Sequence, residues 1–291
     1  MSTPTFTKAT RKKVFLKLAV TGPSGSGKTY SALRLARGLV GPTGKVALID
    51  TENGSASLYA DKFEFDTLDL APPFDHQKFV EGITAAVQAG YQCIIIDSAS
   101  HFWEGILEYK SQLDSRPGSN SYTNWRAAGD KFSDIIKAVL QSPVHLICCM
   151  RSKMDYVQDV DEKGKKSVKK VGLAPIMRDG IEYEFTTVFD VALDHRVSVS
   201  KDRSGLFVDK IFQVTEQTGE LLEQWRNSGA ESKWKQDLEA AMEKASCEAA
   251  ANAFLKRINW IGEAQTYRDV GEDKATKILS NFEGFLTKIN A

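Results

Sequence analysis

The sequence has no net charge, no paired cysteine spacing and no long apolar run, and each absence removes a class of protein. The 38 basic and 38 acidic side chains cancel over 291 residues, so attraction to a polyanion has to come from a local patch and not from a global field. Only four cysteines occur, Cys93, Cys148, Cys149 and Cys247, and no two form a C-x-x-C pair. That argues against a disulfide framework or a zinc site, and cysteines of this set lie in apolar runs, as buried thiols in a reducing compartment do. No stretch approaches the roughly 18 apolar residues of a membrane span. Residues 1–13 (MSTPTFTKATRKK) lack an apolar core of signal-peptide length. A cytoplasmic protein that engages no membrane is expected. No internal repeat is present. With 42% hydrophobic and 26% charged residues, the chain can bury one large core, or a core plus a small appended module.

What is present is one strong motif. Residues 22–29 read GPSGSGKT and satisfy every position of the phosphate-cradling pattern G-x-x-x-x-G-K-[ST]. Residues 14–20 (VFLKLAV) read as a strand entering the loop, and residues 30–39 carry helix periodicity leaving it. Gly22, Gly25 and Gly27 let the backbone turn and aim N–H groups inward, with Ser24 and Ser26 between them, at the positive end of the following helix. Lys28 then reaches the β and γ phosphates of a nucleoside triphosphate. Thr29 offers its hydroxyl to Mg2+, and Tyr30, next in the chain, is a further candidate for nucleotide binding.

Strands and helices alternate beyond the loop. Strands are expected at 45–50 (KVALID), peripherally at 63–70, and in the middle of a sheet at 92–97 (QCIIID) and 144–150 (VHLICCM). Helices are expected at 76–89 and 123–141. This rhythm predicts an α/β fold with a mainly parallel sheet covered on both faces. Residues 114–121 (DSRPGSNS) read as a mobile polar loop. Short strands at 155–160 and 167–171 form a hairpin-like excursion, followed by strands at 186–193, 196–200 and 210–214. An alanine- and charge-rich helical module occupies 229–291, leaving a core over 1–228 with a short tether at 1–13.

Asp97 closes an apolar strand and is the acidic residue expected to hold the magnesium shell opposite Thr29. Ser98, not glutamate, follows it, so a general base has to come from elsewhere. The carboxyl ends of neighbouring parallel strands converge on one crevice. Glu52, just past the KVALID strand, is therefore the candidate that activates water for attack on the γ phosphate. The alternative is that Glu52 caps the next helix.

The run 46–60 (VALIDTENGSASLYA) resembles the segment in which RecA/RadA recombinases carry a catalytic glutamate and, seven residues on, a tyrosine that stacks on adenine. Glu52 and Tyr59 match both positions. The resemblance implies a RecA-like P-loop ATPase core, ATP with Mg2+ as ligands, and single-stranded DNA as partner. Where that family usually has a γ-phosphate-sensing glutamine, this chain has Arg151. Lys201 and Arg203 resemble paired basic residues that reach a neighbouring subunit's nucleotide, or else decorate a solvated turn. More narrowly, residues 172–186 (GLAPIMRDGIEYEFT) look like the minimal RecA-like ATPases of bacteriophages, linked to single-strand annealing and recombination, which would place the protein in a host cytoplasm. The likeness covers roughly 5–225.

That family binds single strands through two loops, for which the candidates are 114–124 and 152–182. The second contains Lys163, Lys165, Lys166, Lys169 and Lys170, followed by Arg178. These would neutralise phosphates without reading sequence, or form a solvated face. Tyr122 and Tyr156 are candidates either for base stacking or for packing. Phe6-Thr7-Lys8-Ala9 fits the F-x-x-A tether of RadA-type subunits, implying self-association into a filament or ring. The resemblance thus implies an ATP-dependent, single-strand-DNA-binding recombination protein that aids annealing or exchange, with an annealing or single-strand-binding protein as a further partner. The alternatives are a small-molecule kinase on the same loop and a non-hydrolysing annealing protein ordered by ATP.

Overall fold

A computed structural model of the chain describes residues 9, 11–160 and 166–229, the side chains of 154–173 excepted. Two compact units divide it: Phe15–Gln224, and Met1–Val14 together with Trp225–Ala291. The first holds the sheet. In the second, the Arg11 guanidinium lies 5.0 Å from the centre of the Trp225 ring and bonds the Ser228 hydroxyl. Phe6 of the expected tether, Cys247, and the expected helical module beyond Gly229 lie outside the described residues.

The apolar runs become the inner strands. β1 (Lys17–Gly22), β2 (Val46–Asp50) and β4 (Cys93–Asp97) are buried at every position, as strands covered on both faces must be. With β3 (Asp66–Asp69), β5 (His145–Val160), β7 (Thr187–Val191) and β8 (Val197–Asp202), they form a sheet of order β3-β2-β4-β5-β1-β7-β8. All neighbours from β3 to β7 run parallel. β8 returns antiparallel to β7, and β6 (Lys166–Pro175) pairs antiparallel with the far half of β5. The expected mainly parallel α/β architecture is therefore the observed one.

Helices cover both faces. From α2 (His76–Gln88), α3 (Ser100–Asp114) and α4 (Ser121–Gln141), Phe79, Phe102 and Phe132 pack with Ile49, Ile94, Ile96 and Leu146 of the sheet into one core. Each such side chain contributes about 1.5–3 kcal/mol on burial. The alternate residues Leu18, Leu48, Ile95 and Ile147 point the other way and are also buried, beneath α1 (Lys28–Val40), which packs along β4 and β5. Asp75 caps α2 by accepting from Gln77 N at 2.8 Å. Asn120 caps α4 through Tyr122 N and Thr123 N. Each cap is worth about 1 kcal/mol. The start of α5 (Glu216–Asn227) crosses α1 at a glycine pair. A Cβ on Gly38 would stand 1.9 Å from the Glu216 carbonyl oxygen, so only glycine permits the approach.

Several expectations need correction. β1 begins at Lys17, not Val14, and the third strand is only the exposed edge segment Asp66–Asp69. Residues 210–214 are not a strand: Phe212 alone bridges to Val197. The hairpin exists, but its first arm is not a separate strand. β5 runs 16 residues without a break, with a register shift at Asp155/Tyr156. The sequence reading left α3 and α5 unassigned. The expected loop at 114–121 shortens to 115–120 and is tied at its base by Asp114, whose side chain accepts from Asn124 Nδ2 at 2.7 Å and from Lys110. No helix among the described residues is long and apolar enough to cross a membrane.

Candidate nucleotide-binding site

The GPSGSGKT segment is the turn from β1 into α1 at the carboxyl end of the sheet, where ligands of parallel sheets sit. Gly25 and Gly27 take φ of 79° and 90°, a conformation that costs glycine nothing because it has no Cβ. Gly22 is required for space: a Cβ there would stand 2.6 Å from the Val191 carbonyl oxygen. Gly27 is the N-cap of α1 and no side chain caps that helix, which leaves first-turn amides facing the loop as donors for an anion. The Lys28 ammonium is buried in the loop and donates to the Pro23 carbonyl at 2.9 Å.

Thr29 and Asp97 meet as the motif predicts. The Thr29 hydroxyl donates to Asp97 Oδ2 at 2.5 Å. Burial pushes the Asp97 carboxyl up to about 6. The Thr29 hydrogen bond and Lys28 pull it back, while Glu52 and Asp50 add to the rise. Such a carboxylate gains from a cation, and hard oxygen donors suit Mg2+. Among the described residues no three His, Cys, Asp or Glu cluster as a metal cage. A cation bound at Thr29 and Asp97 would complete its shell with phosphate oxygens and water, as Mg2+ commonly does.

Glu52 does not cap the following 3-10 turn. Asp50 does that, its carboxylate accepting from Glu52 N at 2.6 Å and Ala56 N at 3.0 Å. The Glu52 side chain instead pairs with Arg151, with Nε 3.0 Å from Oε1. Arg151 is anchored on both sides of its backbone: its N–H donates to Ser100 Oγ at 2.9 Å, and its carbonyl accepts from Ile176 N at 2.6 Å. Behind Glu52 lies a buried polar chain that no motif foretold. Ser98 N–H donates to Thr51 Oγ1 at 2.7 Å, and the same oxygen is 2.6 Å from Nδ1 of His101. The His101 ring stacks on Phe74 at 4.7 Å, and burial, reinforced by the Arg151 charge, holds its pKa below the usual histidine value.

The phosphate loop, Glu52, Asp97 and Arg151 line a single cavity of about 880 Å3. Tyr30 and Tyr59 also line it, with ring centres 5.6 Å apart, and the Arg34 guanidinium lies 5.3 Å from the centre of the Tyr30 ring. The residues read from the sequence as phosphate-, metal- and base-binding are thus brought together. His195, which the sequence reading missed, joins them: its Nδ1 is 2.9 Å from the Ser26 carbonyl oxygen.

Lys201, Arg203 and Arg178 lie outside this cavity. Lys201 Nζ donates to the carbonyls of Glu182 (2.8 Å) and Tyr183 (2.6 Å), and Arg203 Nη2 also bonds Tyr183 O, at 3.0 Å. Arg178 is exposed and sits over the Phe132 ring at 5.1 Å. Lys166, Lys169 and Lys170 fall on β6 opposite Val160, Val157 and Tyr156. Lys163 and Lys165 lie outside the described residues.

A parallel sheet with a phosphate loop at its carboxyl edge, and a threonine and an aspartate meeting beside it, defines a P-loop nucleotide-binding protein. A family model described as an AAA domain matches residues 15–229, most of the chain. The protein belongs to that family, whose domain is of the P-loop ATPase type. No curated protein matches the chain.

Proposed function

We propose that the protein hydrolyses ATP with Mg2+ in this cavity and uses the cycle to handle single-stranded DNA during strand annealing or exchange. The observation that carries the proposal is that Glu52, two residues past β2, and Arg151, midway along β5, line the same cavity as the phosphate loop. Lys28 and the loop amides hold the β and γ phosphates. Thr29 and Asp97 would hold the cation, which when bound would supply positive charge to offset that growing on the phosphates. Glu52 accepts a proton from the attacking water, and Arg151 keeps that carboxylate directed across the crevice.

Support for the DNA half of the reading comes from connectivity. Arg151 is the residue from which β5 leaves the sheet for the hairpin, and the lysine-bearing strand β6 pairs with that outgoing arm. In an assembly of copies, filament or ring, Lys201 at the edge strand β8 and Arg203 just beyond it are the cations that a neighbour's nucleotide would meet. An annealing or single-strand-binding protein would act on the same DNA.

ATP turnover measured with and without single-stranded DNA, for the wild type and Lys28→Ala, tests the proposal. DNA-stimulated turnover that Lys28→Ala abolishes is the expected result. Turnover that instead depends on a small phosphate acceptor would identify a kinase, and nucleotide binding without turnover would leave ATP as an ordering ligand only.

A further inference from the structure

We propose that His195 is a nucleotide-positioning residue, holding the phosphate loop in its receptive shape through a hydrogen bond from Nδ1–H to the Ser26 carbonyl. The inference rests on the nucleotide reading of the cavity and starts from a conflict in local chemistry. β7 and β8 are joined by Ala192–Arg196, closed by Ala192 N–H donating to Arg196 O at 2.8 Å, with His195 N–H returning to Ala192 O at 2.9 Å. A three-residue hairpin loop of this kind places its last residue in the left-handed region, where glycine fits best. Here that residue is His195, with φ 64°. Histidine enters this region more readily than most residues but still carries a Cβ penalty that glycine avoids. A backbone outlier of this kind points towards function when its side chain does something glycine cannot.

The side chain reaches the phosphate loop. β7 is the parallel neighbour of β1, with Thr21 opposite Asp190, so the turn after Val191 comes out over the loop that follows β1. The His195 ring lies against Gly27, where a Cβ would stand 3.2 Å from Nδ1. Its Nδ1 is 2.9 Å from Ser26 O. A carbonyl can only accept, so Nδ1 carries the proton. The Ser26 carbonyl and the next amide belong to one peptide plane, and fixing the oxygen fixes the direction of the Gly27 N–H, one of the amides placed to meet phosphate. His195 is also one of the residues that line the nucleotide cavity. The turn itself is braced by Asp194, which accepts from Arg196 N (3.1 Å) and Arg196 Nε (2.7 Å).

The test uses two substitutions that both suit a left-handed backbone. His195→Gly removes the side chain and relaxes the turn. His195→Asn keeps an amide N–H close to the position of Nδ1–H. For the full-length wild type, both variants and Lys28→Ala, we would measure the melting temperature without ligand, the dissociation constant of a fluorescent ATP analogue with Mg2+, and KM and kcat for ATP. His195→Gly is expected to melt no lower than the wild type, to bind the analogue about 3- to 10-fold more weakly, and to raise KM with little change in kcat. His195→Asn is expected to restore most of the lost affinity. Wild-type affinity in His195→Gly would reduce His195 to a turn residue and overturn the proposal. So would a well-folded His195→Asn that binds as weakly as His195→Gly, or a fall in melting temperature that tracks the loss of binding. If the wild type and Lys28→Ala bind the analogue equally poorly, the nucleotide reading itself fails, independently of how the His195 variants behave.

Discussion

Glu52 and Arg151 meet as an ion pair across the carboxyl end of β4, Oε1 3.0 Å from Nε, although they stand 99 positions apart in the chain. Both side chains are part-exposed, at 29% and 39%, so solvent screens the pair and its worth to stability is small. Its importance is directional, because it aims a carboxylate into the cavity that the phosphate loop bounds.

Glu52→Gln should therefore separate binding from chemistry. The amide still accepts from Arg151 but cannot take a proton. The affinity for an ATP analogue should stay within about twofold, while kcat falls by about 10²–10⁴. Single-turnover and binding measurements on the same preparation check this, and unchanged turnover would remove Glu52 as the base.

Asp97→Asn should stabilise the nucleotide-free protein. Burial lifts the Asp97 carboxyl from 3.8 to about 6, and a folded value above the unfolded one means that stability is lost as pH rises from about 4 to about 6. Two units correspond to at most about 3 kcal/mol. At pH 8 without Mg2+ the variant should melt several degrees higher than the wild type. At pH 4 the advantage should vanish. Mg2+ should no longer strengthen nucleotide binding.

Gly38→Ala should destabilise, although alanine normally gains about 1 kcal/mol over glycine in a helix. The added Cβ meets the Glu216 carbonyl oxygen at 1.9 Å, a backbone atom that no rotamer change can move aside. Overpacking of this kind costs about 1–3 kcal/mol, and the clash is severe enough to outweigh the propensity. A lowered melting temperature in calorimetry is the expected outcome.

The three described thiols should be silent in the native state. Burial pushes Cys93 and Cys148 up to about 12, and Cys149 well above the ordinary thiol value. In a Cys247→Ser background, a thiol reagent at pH 8 should label none of them until denaturant is added. Rapid labelling of the folded protein would show that the sheet opens locally.

The parts of the site legible in the sequence are those whose geometry is local. The glycine spacing of 22–29 dictates the loop, and the uninterrupted CIIID run dictates a buried strand ending in Asp97. The partner of Glu52 was not legible, because a side-chain pair formed across an intervening strand leaves no spacing signal. The polar run RSKMD (151–155) hid the continuity of β5 by ending its apolar pattern where the strand leaves the core. α5 was masked by Gly219, which is there for close packing and reads as a helix breaker. Residues 210–214 (KIFQV) have the apolar and β-branched content of a strand, yet Ile211 is 68% exposed and Phe212 alone finds a bridge. His195 carried no motif at all, since its contact with Ser26 exists only once β7 lies beside β1.

Arg151 is the last residue of β5 registered against β1, opposite Gly22, and Ser152 is the first registered against β6, opposite Pro175. The handover between the two pairings falls on one peptide bond. A displacement of the hairpin arm at that bond would therefore bear directly on the residue that carries the guanidinium beside Glu52, whose backbone is held by Ser100 and Ile176.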